Sequence, residues 1–167
     1  MPSTMKLIRL VLSAAAVVVL FGCGAAPTTA TTSVPDVPAA RATALTLFVE
    51  GPAGHWGSCD GAAVACPLTA TVQARLDALR SQRYFSDVGG CGEDYITATQ
   101  NGFNNAPQVL SADAATNGSV TVVMQRDLGG KPNLSAVMTE TNGKWLASDL
   151  ASGTGPSASI FSTKPNC

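Results

Sequence analysis

The sequence predicts an α+β fold in which two N-terminal helices pack on a curved, cone-like antiparallel sheet of about four strands. Three observations carry that prediction. Apolar residues recur every three or four positions in two segments ahead of residue 83, the repeat of a helix with one buried face. Past Pro107 the repeat falls to two, the period of a strand. Asn117-Gly118 and Asn142-Gly143 then divide the alternating region, and both residue types tolerate the positive φ that a two-residue hairpin turn demands. Helices grouped ahead of strands, instead of alternating with them, give the order of an α+β domain.

The first helix is expected over residues 37–50. Asp36 can accept the unpaired amides of the helix start, and Pro38 is tolerated in the first turn, where an amide has no helical partner. Val37, Ala40, Ala44, Leu47 and Phe48 then share a face, and Gly51-Pro52 ends the pattern. A glycine-rich loop is expected over residues 52–66. The second helix is expected over residues 69–82, because Leu68, Val72, Leu76 and Leu79 form one stripe while Gln73, Arg75, Asp77 and Arg80 lie off it. Residues 95–99 follow a glycine-broken segment and read as a short strand or turn. Strands are expected over residues 109–113, 119–126, 134–141 and 144–150. Both faces of the middle strands carry apolar groups, so helices are expected on one face and a pocket or partner on the other. The tail after Leu150 is rich in Gly, Ser and Pro, with Ile160 and Phe161 as its apolar grip.

Residues 1–22 have the layout of an export signal: Lys6 and Arg9 precede an apolar run ending at Gly22. A bilayer-spanning helix needs about 20 apolar residues, more than this run supplies. Leu20-Phe21-Gly22-Cys23 resembles the lipobox of bacterial lipoproteins, with Phe21 larger than the residue usual there. The resemblance implies that Cys23 carries a diacylglyceryl group and becomes the amino terminus, which places the protein at the outer face of the cytoplasmic membrane. Each buried lipid methylene adds about 0.8 kcal/mol of membrane affinity, so two acyl chains hold firmly. Residues 23–35 read as a lipidated flexible tether, too poor in large apolar groups to offset the entropy of ordering. Residues 36–167 read as one folded domain.

After cleavage the chain keeps eight basic and eleven acidic residues, a formal charge of −3 with no basic cluster. That excludes a nucleic-acid partner and an electrostatic hold on anionic lipid. Besides Cys23 there are Cys59, Cys66, Cys91 and Cys167, an even set that in an exported chain reads as two disulfides. Three pairings are possible. The preferred one joins Cys59 to Cys66 across the glycine-rich loop and Cys91 to Cys167, which ties down the C-terminus at a gain of ~4 kcal/mol. A zinc site is the rival reading, opposed by the lack of a Cys-x-x-Cys pair and by a single histidine, His55. No cofactor is called for.

The order of elements, the helix CPLTATVQARLDAL and the closing hairpin AVMTETNGKWLASDL resemble the nuclear transport factor 2-like superfamily over about residues 37–150. The resemblance implies a cone with a hollow between helices and sheet. It also implies either a binding protein or an enzyme of the ketosteroid isomerase or polyketide cyclase type, in which a buried acid of raised pKa moves protons.

For a pocket, the candidates in this chain are Trp56, Tyr95 and Asp149. Trp56 stands to cover a cavity mouth or to pack on the first helix. Tyr95 follows two acids, Glu93 and Asp94, that more often face water at a turn. Asp149 shares parity with Trp145 and Ala147, which assigns it to their face. His55 reads as a solvated loop residue. No Ser-His-acid set and no phosphate-cradling loop can be assembled, and the scattered aromatics disfavour a carbohydrate-stacking platform. The expectation is therefore a non-catalytic lipoprotein binding a small apolar ligand or an envelope partner, with proton-transfer catalysis as the alternative.

Overall fold

The computed structural model describes residues 34–60, 64–82, 84, 94–99, 102–126 and 133–166. The signal, Cys23, Cys91 and Cys167 lie outside them, and with them the pairing expected for Cys91. Among the described residues the fold is α+β as expected: two helices pack against a four-stranded antiparallel sheet, and a small hairpin is added.

Helix α1 (Val37–Leu45) starts as the sequence requires, with Asp36 Oδ1 accepting the Ala39 N–H at 3.0 Å and Pro38 in the first turn. Ala40 and Ala44 are its fully buried face. The helix stops well short of residue 50. At Thr46 both the backbone N–H and the hydroxyl donate to the Thr43 carbonyl, closing the last turn. Phe48 and Val49, aromatic and β-branched, then leave helical geometry for strand β1 (Phe48–Glu50). Its partner is β2 (Trp56–Ser58), and Gly51-Pro52 begins the connecting turn instead of ending a helix, with the Gly51 N–H bonded to the His55 carbonyl at 2.6 Å. The expected loop over residues 52–66 thus contains a strand.

Cys59 and Cys66 form the expected disulfide, with Cα atoms 5.3 Å apart. Its loop is short, so the loop-entropy model assigns it ~2.5 kcal/mol. The double variant Cys59→Ala/Cys66→Ala is expected to lose about that much stability, seen as a lower urea midpoint.

Helix α2 (Ala70–Ser81) is capped by Thr69, whose hydroxyl faces the Val72 N–H at 3.4 Å, and it buries Val72, Leu76 and Leu79 as the stripe requires. The sheet order is β3 (Gln108–Ala114), β4 (Val120–Gln125), β5 (Leu134–Thr141), β6 (Lys144–Ser152), a simple meander. Asn142 and Gly143 have φ of 53° and 73°, the left-handed pair that a type I′ hairpin needs. Helix α1 lies over all four strands and α2 over β6.

Between helices and sheet, Leu76 and Leu79 of α2 share one core cluster with Met124, Leu134, Met138 and Leu150, all at exposures of 0–1%. Side chains that closely covered leave no water-sized hollow beside them, so among the described residues this region is a packed core, where the resemblance implies a hollow.

Residues 153–166 return along the outer edge of β6. Ile160 N–H bonds the Leu150 carbonyl at 2.8 Å, and Ser152 N–H the Ala158 carbonyl at 2.9 Å. Arg75 donates to the Ile160 and Ser162 carbonyls, and the Tyr84 hydroxyl to the Pro165 carbonyl. The tail's grip is therefore wider than Ile160 and Phe161. Phe161 is 44% exposed, while Ala158 and Pro165 are buried.

Candidate functional site

The three sequence candidates do not converge. Trp56 lines an open cleft of about 440 Å³ between the β1–β2 hairpin and Asp94, Thr97, Thr99 and Gly102. Tyr95 points the other way, fully buried, with its hydroxyl donating to the Ala158 carbonyl at 2.7 Å. Burial pushes its phenol well above the ordinary 10.0, so it holds its proton and serves the core.

Asp149 is on the opposite face from the one expected. Ala147 pairs with Met138 but Asp149 pairs with Val137, because a bulge at Ser148 inserts one residue and reverses the alternation. Its carboxylate accepts the Ser159 hydroxyl at 2.9 Å, away from the Trp56 cleft.

Two residues that sequence reasoning passed over or discounted do line the cleft: Asp60 and Asp94, with His55 beside them. Asp94 Oδ1 accepts the N–H groups of Ile96 and Thr97 at 3.0 and 2.9 Å, together with the Thr97 hydroxyl. This is an Asx-type cap that shapes the turn over residues 94–99. Among the described residues Oδ2 has no hydrogen-bond partner. Asp60, on the neighbouring wall, is held by Arg80 and by Gln73 at 3.4 Å. Asp60 follows Cys59 and precedes a glycine, and neither neighbour marks its contact with Arg80 twenty residues on.

Burial raises the Asp94 pKa above its ordinary 3.8, with Asp60 adding to the rise and the Thr97 and Ile96 hydrogen bonds opposing it. A raised carboxyl pKa in the folded state favours folding when protonated. That contribution is complete below the unfolded value and fades as pH climbs through the folded one. Asp94→Asn keeps an acceptor for the cap and removes the titration. It is expected to flatten stability against pH from about 4 upward, as read from thermal midpoints of both proteins across that range.

The cleft is rigidly framed. Trp56 N–H bonds the Phe103 carbonyl at 2.7 Å and Phe103 N–H the Trp56 carbonyl at 3.0 Å, so residue 103 acts as a third strand position beside the hairpin. Phe48 and Phe103 meet edge to face with ring centres 5.8 Å apart beneath it. The described residues contain no group of three His, Cys, Asp or Glu able to hold a metal ion. What the arrangement offers is one indole, a carboxylate with a spare oxygen, an imidazole and the Ser58 hydroxyl: a surface for binding.

Fold and cleft together define, among the described residues, a small α+β protein with a packed core and a framed cleft of mixed polar and apolar lining. Comparison with protein-family models, curated proteins and solved structures finds no match.

Proposed function

We propose that the chain is a lipid-anchored, non-catalytic binding protein of the bacterial envelope, of nuclear transport factor 2-like descent, tethered by Cys23 to the outer face of the cytoplasmic membrane. Its ligand or partner docks in the cleft beside Trp56. The observation that carries the binding half is the contrast between a core at 0–1% exposure and an open cleft of about 440 Å³. An apolar ligand enclosed between helices and sheet has no room there. Asp94 Oδ1 accepts three local bonds, which gives the carboxylate a structural role in its own turn.

The position of the cleft supports the same reading. Pro35, where the tether joins the body, shares a depression with the Asn117-Gly118 and Asn142-Gly143 turns. Residues 95 and 96 instead pack on Arg126, just past the far end of β4. β4 spans about 20 Å, so within the folded body the cleft and Pro35 lie toward opposite ends of that strand.

The test is native and intact mass spectrometry of protein extracted from membranes. Expected are a diacylglyceryl mass on Cys23, loss of residues 1–22, and a bound mass that Trp56→Ala removes. Cys23→Ala is expected to release the chain from the membrane fraction. A retained signal segment, or membrane retention of Cys23→Ala, defeats the anchor.

A further inference from the structure

We infer that the ligand of the Trp56 cleft is a neutral saccharide, an inference that rests on the proposed binding role of that cleft. The reasoning is a match of hydrogen-bonding types. Asp94 Oδ2, when ionised, only accepts, and the Trp56 indole N–H only donates; neither has a hydrogen-bond partner among the described residues. Ser58 Oγ accepts the Asp60 N–H at 3.0 Å and keeps its own proton to give, and His55 carries one nitrogen of each kind when neutral.

An ammonium ligand donates only and leaves the indole N–H unmatched. A phosphate or carboxylate accepts only and meets Asp94 with like charge. An apolar ligand strips water from all four groups, at a cost of about 1–3 kcal/mol for each one left unpaired. Hydroxyl groups both give and take, so a polyhydroxylated ring satisfies the whole set. The apolar C–H face of such a ring suits the indole, an amphipathic surface with a polar edge.

Charge agrees with this. Asp60 is already neutralised by Arg80. The scattered aromatics exclude a long stacking platform, but a single ring needs a single indole. The volume of about 440 Å³ falls in the range of small-molecule sites.

The experiment is calorimetric titration of the detergent-solubilised full chain with N,N′,N″-triacetylchitotriose, with choline chloride and sodium acetate as the ammonium and carboxylate probes. Saturable binding of the saccharide alone is expected. His55→Ala, at an exposed turn, and Asp94→Asn are each expected to weaken it at least tenfold while melting cooperatively. Trp56→Phe, which keeps a ring, is expected to retain more affinity than Trp56→Ala. Binding of choline or acetate in preference, absence of saccharide binding, or saccharide binding indifferent to all these variants overturns the inference. If the trisaccharide fails while native mass spectrometry still shows a Trp56-dependent bound mass, the ligand class falls and the binding role stands. If both fail, the binding role falls too.

Discussion

Arg126→Met is expected to cost about 4 kcal/mol, or to prevent folding outright. The residue follows β4 directly and is 1% exposed, the largest fully buried side chain among the described residues. Its guanidinium donates to the Tyr95 carbonyl at 3.0 Å, to the Ile96 carbonyl at 3.4 Å and to the Ser152 hydroxyl at 2.8 Å, among its contacts. It thus bolts the turn over residues 94–99 to the ends of β4 and β6. Methionine fills much of the volume but supplies no donor, so at least two buried carbonyls lose their partners. A hydrogen bond to a charged group contributes about 1.5–3 kcal/mol, and a buried acceptor left bare adds its own desolvation penalty. Arg126→Lys keeps the charge without the planar fork and is expected to fall between the two. Urea unfolding measures both. A loss under 1 kcal/mol for the Met variant contradicts the bolt. Because Asp94 and Thr97 sit on the turn that Arg126 holds, partial occupancy of the native state is expected to show first as a disordered cleft.

Gly102→Ala carries the second large effect, about 3 kcal/mol. Gly102 has φ of +75°, which side-chain-bearing residues rarely adopt, and a Cβ built there lies 2.3 Å from the Trp56 carbonyl oxygen. That oxygen accepts the Phe103 N–H, so the strand-like bridge closing the cleft is the structure that must give way. The variant is expected to separate residues 102–103 from the hairpin, seen as rapid amide exchange at Trp56 and Phe103. Gly118→Ala serves as the control, because its φ of +83° carries the same backbone strain with nothing within 4 Å of the added methyl. Equal losses in the two variants remove the steric argument and leave only backbone strain.

Much of this architecture was legible because local signals and burial agree. The sheet strands fall within one or two residues of where alternation places them, and Thr69, Asp36 and Asn142-Gly143 cap and turn as their side chains and backbones prefer. The failures have specific causes. Leu47 and Phe48 are buried on the side a continuing helix would bury, so periodicity alone does not reveal that the chain leaves the helix at Thr46; only pairing with β2, eight to ten residues on, decides that. Asp149 was misplaced by a bulge at Ser148, a one-residue insertion that no pattern in LASDL announces. Of the cleft, Trp56 was visible as a loop aromatic. Asp60 was not, because its role depends on Arg80 from another element.

By itself the sequence determined the order of the two helices and the four-strand meander, the turn positions and the helix starts, since each depends on neighbours along the chain. The tertiary structure alone decided that the core is filled, that Tyr95 belongs to it, that Asp149 faces away from it, and that Asp60, Asp94 and Trp56 share a cleft. Those outcomes depend on which segments meet across distances of twenty to ninety residues. Packing and register settle such meetings, and a one-residue shift in either turns a side chain to the opposite face.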